Sequence, residues 1–402
     1  MLGIAAGVGL GVLLGAVSGC IPGVHANTMA GLLLALQGVL LPLFGPETVA
    51  VSMFAALVTH TFLDIIPSTF LGVPDPDTAL SVLPAHALCS AGDGEEAVRV
   101  SALGSAGSVL FALPLTAAFI VMLPAVQPWI DWGIGLLLIT VGGLLVIASE
   151  SPGWSLLVFL FSGALGVFSF KYSFLAWHTA GTSSLLMPLL AGLFGLSVLL
   201  VSSSGTMPEQ RFRGISLSTA SLIRHTGIGA AAGACVGWLP GLSNATANAL
   251  LQAAIPFDHD PRGYIVATSA ANTANAFLAL AALFALSRMR NGVMVALAAQ
   301  DMPAPGVLLA GGIAAALIAY LLTIRLSRFA GIFNGIPVRP VSRAVVLVII
   351  ALTLLLCGPF GLLVLALATA VGMVPGLVNV RRSACMGAVM VPVVLFSLGI
   401  PL

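Results

Sequence analysis

Charge is what this sequence has least of. Only 7% of its 402 residues are Asp, Glu, Lys or Arg, against roughly 25% in a soluble domain. Lys171 is the only lysine. So few charges cannot cover a surface that faces water, which excludes a soluble globular protein. A net charge of +1 excludes nucleic acid as a partner. Cysteine is scarce as well. Cys20, Cys89, Cys235, Cys357 and Cys385 form no C-x-x-C pair and no cluster with zinc spacing, so they read as small apolar packing residues. There is no Walker A loop, no G-x-S-x-G and no H-E-x-x-H, so the chain is not expected to be an enzyme. The N-terminus lacks a basic n-region and an A-x-A site, and reads as a first helix rather than a cleaved signal.

Apolar length is what the chain has in abundance. Hydrophobic residues make up 59% of it and the mean hydropathy is +1.14. The apolar runs are continuous, whereas strands of a membrane barrel alternate apolar and polar residues. Glycine and alanine are scattered through them, as close helix packing in lipid requires. Candidate spans fall near 2–20, 28–43, 48–66, 100–124, 132–149, 153–169, 184–202, 217–238, 264–286, 305–324, 343–357, 359–374 and 384–400. Several are too short for a crossing, which takes about 20 residues. The expectation is an all-α polytopic protein of the cell membrane. It would have about nine to eleven transmembrane helices, the shorter pieces being broken or re-entrant. Twelve of the fourteen Lys and Arg follow residue 200, clustered at Arg211/Arg213, Arg288/Arg290, Arg325/Arg328/Arg339/Arg343 and Arg381/Arg382. Each cluster is a candidate cytoplasmic loop.

The sequence also repeats itself. At an offset of 218, GAVSGCIPGVHANTMAGLL (15–33) lies over GACVGWLPGLSNATANALL (233–251), with eight identities in nineteen positions. At an offset of 215, VSMFAALVTHTFLDIIPSTFLG (51–72) lies over VATSAANTANAFLALAALFALS (266–287), and His60 lies over Asn275. The expected organisation is a first repeat at 1–201, a linker at 202–214 and a second repeat at 215–402. The repeats are expected to be inverted, which requires an odd number of crossings in the first.

In each copy Gly19 or Gly237 precedes a Pro-Gly step, Pro22-Gly23 or Pro240-Gly241. Proline lacks an N–H and disfavours helix in the residue before it. The chain is expected to unwind there and restart among His25, Asn27 and Thr28, and among Ser243, Asn244 and Thr246, which supply N-cap side chains. Fresh helix N-termini suit an anion. Unwound backbone at membrane depth belongs in a protein-lined cavity, and a matched pair of breaks points to a transporter site. The plain alternative is a pair of packing kinks. Gly23, His25, Asn27, Thr28, Gly241, Ser243, Asn244, Thr246, Asn272 and Asn275 are the candidate substrate-binding residues. His60 and Asp64 share a helix face and are candidates for carrying a coupling cation, sodium or proton; a helix-end position before Pro67 is the alternative. Lys171 is a candidate counter-charge, or a side chain snorkelling from a helix end. Asp75 and Asp77 could bind a cation, though two carboxylates are few for calcium and no EF-hand spacing exists; the plainer reading is turn and cap. Asp93, Glu95, Glu96 and Arg99 read as an exposed loop. No other cofactor is expected.

GCIPGVHANT and GWLPGLSNAT resemble the G-x-x-P-G-x-x-x-x-T motif that opens each half of the large membrane subunit of tripartite tricarboxylate transporters. The loop LGVPDPDTALSVLPAHALCSAGDGEEAV, the mid-chain segment 162–197 and PRGYIVATSAANTANA (261–276) are similar to that family too. The likeness spans about 15–290, and the first motif resembles an archaeal-type branch. The resemblance implies a secondary transporter with related halves. It also implies an anionic substrate, most simply a small carboxylate, held between the paired breaks, with a small membrane subunit and a solute-binding protein as partners. A shorter likeness, IPGV-x-x-x-T-x-A, is to polyprenyl-phosphate translocases, for which the anion is a lipid phosphate. Lipid is a partner in either case, and a homo-oligomer is compatible with both.

Overall fold

In a computed structural model the described residues are 2–21, 26, 29–30, 33, 37–73, 75, 78–130, 133–147, 149, 151–177, 185–200, 208–238, 244–335, 338–380 and 382–400. Among them there are helices and no strand. Seven helices are long and apolar enough to cross a membrane, and three shorter apolar helices accompany them. The chain is therefore an all-α, multi-pass membrane protein.

The first helices are α1 (Leu2–Cys20), α2 (Gln37–Leu63) and α3 (Ile65–Leu71). Asp64 lies between α2 and α3 in helical geometry, so the two run on as one apolar span. Next come α4 (Val82–Ser90), α5 (Gly94–Ile130), α6 (Ile134–Ile147) and α7 (Pro152–Lys171). Helix α8 runs Leu186–Leu190, widens into a π-helical stretch, Ala191–Leu196, and ends as Ser197–Leu199. The second half holds α9 (Thr219–Trp238), α10 (Asn244–Ala254), α11 (Pro261–Leu286), α12 (Gly292–Ala298), α13 (Pro305–Ser327), α14 (Val338–Val378) and α15 (Gly387–Ser397).

Local chemistry sets several of these bounds. Asp260 caps α11 by accepting from Gly263 N at 2.8 Å, with Pro261 as its first residue. Asn291 caps α12 the same way through Met294 N. Two Gly-Pro steps bend long helices. Gly45 has φ 77° and ψ 160°, Gly358 has φ 70° and ψ −165°, and both conformations are closed to other residues. The gaps between 28–43 and 48–66, and between 343–357 and 359–374, thus fall on bends inside continuous elements. Helix α9 is not among the seven spans, because Arg224, His225 and its many small residues lower its hydropathy.

Helix α11 is buried along nearly its whole length, between α5 and α9. Helix α1 lies along α2, and α13 covers α2 from another side. Lipid is as apolar as a side chain, so contact area comes from close backbone approach. A Cβ on Gly15 would come within 2.6 Å of Ala56 O, and one on Gly19 within 2.7 Å of Leu63 Cβ. In the second half a Cβ on Gly233 would meet Ala271 O, and one on Gly237 would come within 2.7 Å of Leu278 Cβ. These are the same positions at the two offsets. Phe54 and Phe277 close the centre edge to face, with centroids 5.5 Å apart.

The segment at 208–216 ties the halves together. Gln210 Oε1 accepts from Gly94 N at 2.9 Å, its Nε2 donates to Cys89 O at 2.8 Å, and its own N–H donates to Asn334 Oδ1 at 2.7 Å. Nor is 93–99 an exposed loop. It opens α5, and Glu96 is buried. Glu96 Oε2 accepts from Arg262 at 2.7 Å and its Oε1 from the Ser216 N–H and hydroxyl, both at 2.6 Å. A charge that far inside needs these partners, which the sequence places more than 100 residues away.

Candidate functional site

The site is built where α2–α3 meets α11 and the start of α10. His60 and Asp64 lie one helical turn apart and are both buried. His60 Nε2 faces Asp75 Oδ2 at 3.3 Å, and its Nδ1 lies 3.0 Å from Ser18 Oγ on α1. Asp64 Oδ2 accepts from Asn272 Nδ2 on α11 at 2.7 Å, and Asn272 Oδ1 accepts from Asn244 Nδ2 at 2.8 Å. Asn244 is the first residue of α10, three residues after Gly241 in the sequence, and is 2% exposed. Its Oδ1 is buried with no hydrogen-bond partner among the described residues. One ligand atom each from His60, Asp64 and Asp75 lie within 4.8 Å of one another. Such a set of ligand atoms could hold a cation.

Around this cluster runs a seam of hydroxyls joining the halves. Thr61 and Thr273 lie 2.9 Å apart, Ser81 donates to Thr268 at 2.7 Å, and Ser101 lies 2.8 Å from Ser269. All are buried. A polar seam between transmembrane helices satisfies itself without water, which lets the cluster sit in an apolar surround.

A cation stands at the end of α9. Arg290 donates from Nη2 to Val236 O at 2.9 Å and from Nε to Gly237 O at 3.3 Å, covering the last carbonyls of α9. Burial, with Arg288 beside it, pulls its guanidinium down to about 10, so it stays charged at neutral pH. Asn275, half-buried, points its Oδ1 toward Gly237.

The structure thus brings together His60, Asp64, Asn272 and Asn244 and places Asn275, Gly19 and Gly237 beside them. Lys171 stands apart, exposed at the last turn of α7, a helix that packs on α14 and α15. Thr246 lies in α10. Pro22, Gly23, His25, Asn27, Thr28, Pro240, Gly241 and Ser243 lie outside the described residues, as does Asp77. Sequence reasoning missed Ser18, the approach of Asp75 to His60, and Arg290. One signal was present: Asp75 and Arg290 occupy the same place at the offset of 215.

The model of the tripartite tricarboxylate transporter TctA family matches residues 6–387. The chain belongs to that family. An uncharacterised protein of Methanocaldococcus jannaschii is 27% identical over 276 residues. That match covers 68% of this chain and 66% of the relative, just under two thirds of its length. No solved structure matches. Within the TctA family frame, the cluster and Arg290 lie inside the matched region.

Proposed function

We propose that this TctA-family protein is the permease of a secondary transporter for a small carboxylate. The substrate sits at the paired helix breaks, and two related, inverted halves rock about it. The observation that carries this reading is the chain Asn244–Asn272–Asp64, which links the restart of the second broken helix to a buried acidic cluster of the first half. Asn244 Oδ1 is left without a partner, and Arg290 holds positive charge at the end of α9 beside that break. Arg290 is the counter-charge, better placed than Lys171. Gly23, His25, Asn27, Thr28, Gly241, Ser243 and Thr246 complete the binding surface. Nothing among the described residues of the site favours a lipid phosphate as cargo. By family, a small membrane subunit and a solute-binding protein are its partners in the cell membrane.

His60 carries the coupling proton. Facing Asp75, Nε2 bears a hydrogen; neutral His60 then accepts at Nδ1 from the Ser18 hydroxyl. When His60 gains a proton, Nδ1–H donates to Ser18 Oγ, whose hydroxyl turns to Gly15 O at 3.2 Å. Neither state leaves Ser18 or the imidazole without a partner, so the proton enters at little cost in hydrogen bonds.

Counterflow of labelled di- and tricarboxylates into proteoliposomes tests the reading. Uptake is expected to be driven by an inward proton gradient in the wild type and to lose that dependence in His60→Asn. Absence of counterflow with every carboxylate tried, or proton-driven uptake unchanged in His60→Asn, would sink it.

A further inference from the structure

A second site lies away from the breaks, at the membrane edge. A cleft of about 480 Å³ opens between the end of α8 and the first turns of α14. Arg339, Ser342 and Arg343 line its upper part, and Val346 and Leu347, with Leu199 and Leu200, line the rest. The apolar span of α14 begins at Ser342, so the two arginines straddle the boundary between span and water. They lie one helical turn apart at a helix N-terminus, where both their mutual repulsion and the helix dipole disfavour them. Neither has an acidic partner among the described residues. Ser342 is 8% exposed, and its hydroxyl makes no hydrogen bond among the described residues. Two arginines without an acidic partner and a serine hydroxyl without a hydrogen bond, all among the described residues, thus line one cleft, a set of groups suited to an anion.

The cleft's other wall says which anion. Val346 and Leu347 follow Arg339 by about 10 Å along the helix axis, so charge gives way to apolar surface with depth. A free phosphate has no use for that wall, whereas an acyl chain fills it. Arg339 and Arg343 follow Arg325 and Arg328 across the short turn that joins α13 to α14, and the Gln210–Asn334 bond brings the stretch of chain that carries Arg211 to that turn. By the positive-inside rule such an arginine cluster belongs on the cytoplasmic side, whose leaflet carries anionic lipid. We propose that the cleft binds the headgroup of an anionic glycerophospholipid of the cytoplasmic leaflet, its phosphate between Arg339, Arg343 and the Ser342 hydroxyl. The site is independent of the transport reading.

The full-length protein, stripped of lipid in detergent, is offered dioleoyl phosphatidylglycerol or phosphatidylcholine, and the retained lipid is counted by native mass spectrometry. Phosphatidylglycerol is expected to be retained in preference, and Arg339→Gln/Arg343→Gln to weaken retention about tenfold or more, the scale of two arginine contacts at a lipid surface. Arg339→Lys/Arg343→Lys, which keeps the charge, is expected to restore most of it and so separates binding from misfolding. Ser342→Ala is expected to weaken retention by less. Equal retention of the two lipids, or retention unchanged in the glutamine variant, overturns the proposal. So does displacement of the lipid by millimolar inorganic phosphate or glycerol phosphate, which would reassign the cleft to a free anion.

Discussion

The helix pairs α1/α2 and α9/α11 are built on one plan and charged in opposite senses. In both, glycines one turn apart let backbone lie on backbone, and an oxygen lies near the last of them: the His60 backbone carbonyl beside Gly19, the Asn275 side-chain Oδ1 beside Gly237. The plan then diverges at matched positions. His60 answers to Asn275, Asp64 to Ala279, and Asp75 to Arg290. The first half keeps groups that gain or lose protons; the second keeps neutral amides and a fixed cation. Two helix pairs packed alike can thus carry different groups, because packing uses the glycine face and the differing residues lie beside it. In the proposed mechanism the first half senses the driving ion and the second holds the anion, with Asp64–Asn272 as their contact.

If this division is right, the largest effect comes from removing the second half's charge. Arg290→Gln loses the cation at the break and weakens the cover over Val236 O and Gly237 O. Charge-assisted hydrogen bonds are worth about 1.5–3 kcal/mol, so carboxylate counterflow should fall roughly tenfold to a hundredfold. Equal activity in Arg290→Gln would remove Arg290 from the site. Asp64→Asn comes next. It preserves an acceptor for Asn272 Nδ2 and removes the charge. Exchange of internal for external substrate should survive, while accumulation driven by a gradient should drop severalfold or more. Accumulation at wild-type level would break the assignment of coupling to the first half.

The packing face should behave alike in both halves. Gly15→Ala and Gly233→Ala each push a methyl into the backbone of the neighbouring helix, at Ala56 O and Ala271 O. Each should cost about 1–3 kcal/mol, read as a lower unfolding temperature in detergent. Gly9→Ala meets nothing within 4 Å and serves as the control, expected to be neutral or to gain up to about 1 kcal/mol from helix propensity. A loss in one half alone would show that the two pairs do not share a packing plan.

The parts of this molecule legible in its sequence were those carried by local pattern. Long apolar runs marked helices, the offsets exposed the matched pairs, and a carboxylate within a span marked Asp64. What escaped depended on contacts between distant segments. Glu96 reads as loop because its partners Ser216 and Arg262 are far along the chain. Asp75 reads as a turn residue among prolines until the fold brings it to His60. Arg290 reads as one of a basic pair after a helix, since sequence does not say whose carbonyls it covers. Lys171 drew notice for being the only lysine, and rarity carries no information about position.

Exchanging the two helix entries should have unequal effects. At the offset of 215, Gly45-Pro46 lies over Asp260-Pro261. Both prolines suit the first turn of a helix, yet the residue before each does a different job. Asp260 caps α11 with its side chain, and glycine is a tolerable replacement at such a position. Asp260→Gly should therefore cost less than about 1 kcal/mol, including the lost approach of its carboxylate to His225 at 3.4 Å. Gly45 holds φ 77° and ψ 160°, a region closed to a residue with a Cβ, so Gly45→Asp should cost about 1–3 kcal/mol despite meeting no neighbour within 4 Å. Unfolding temperatures of the two single variants decide the matter. Equal costs would mean that the bend at Gly45 is replaceable by a cap, and that the two halves enter their central helices in the same way after all.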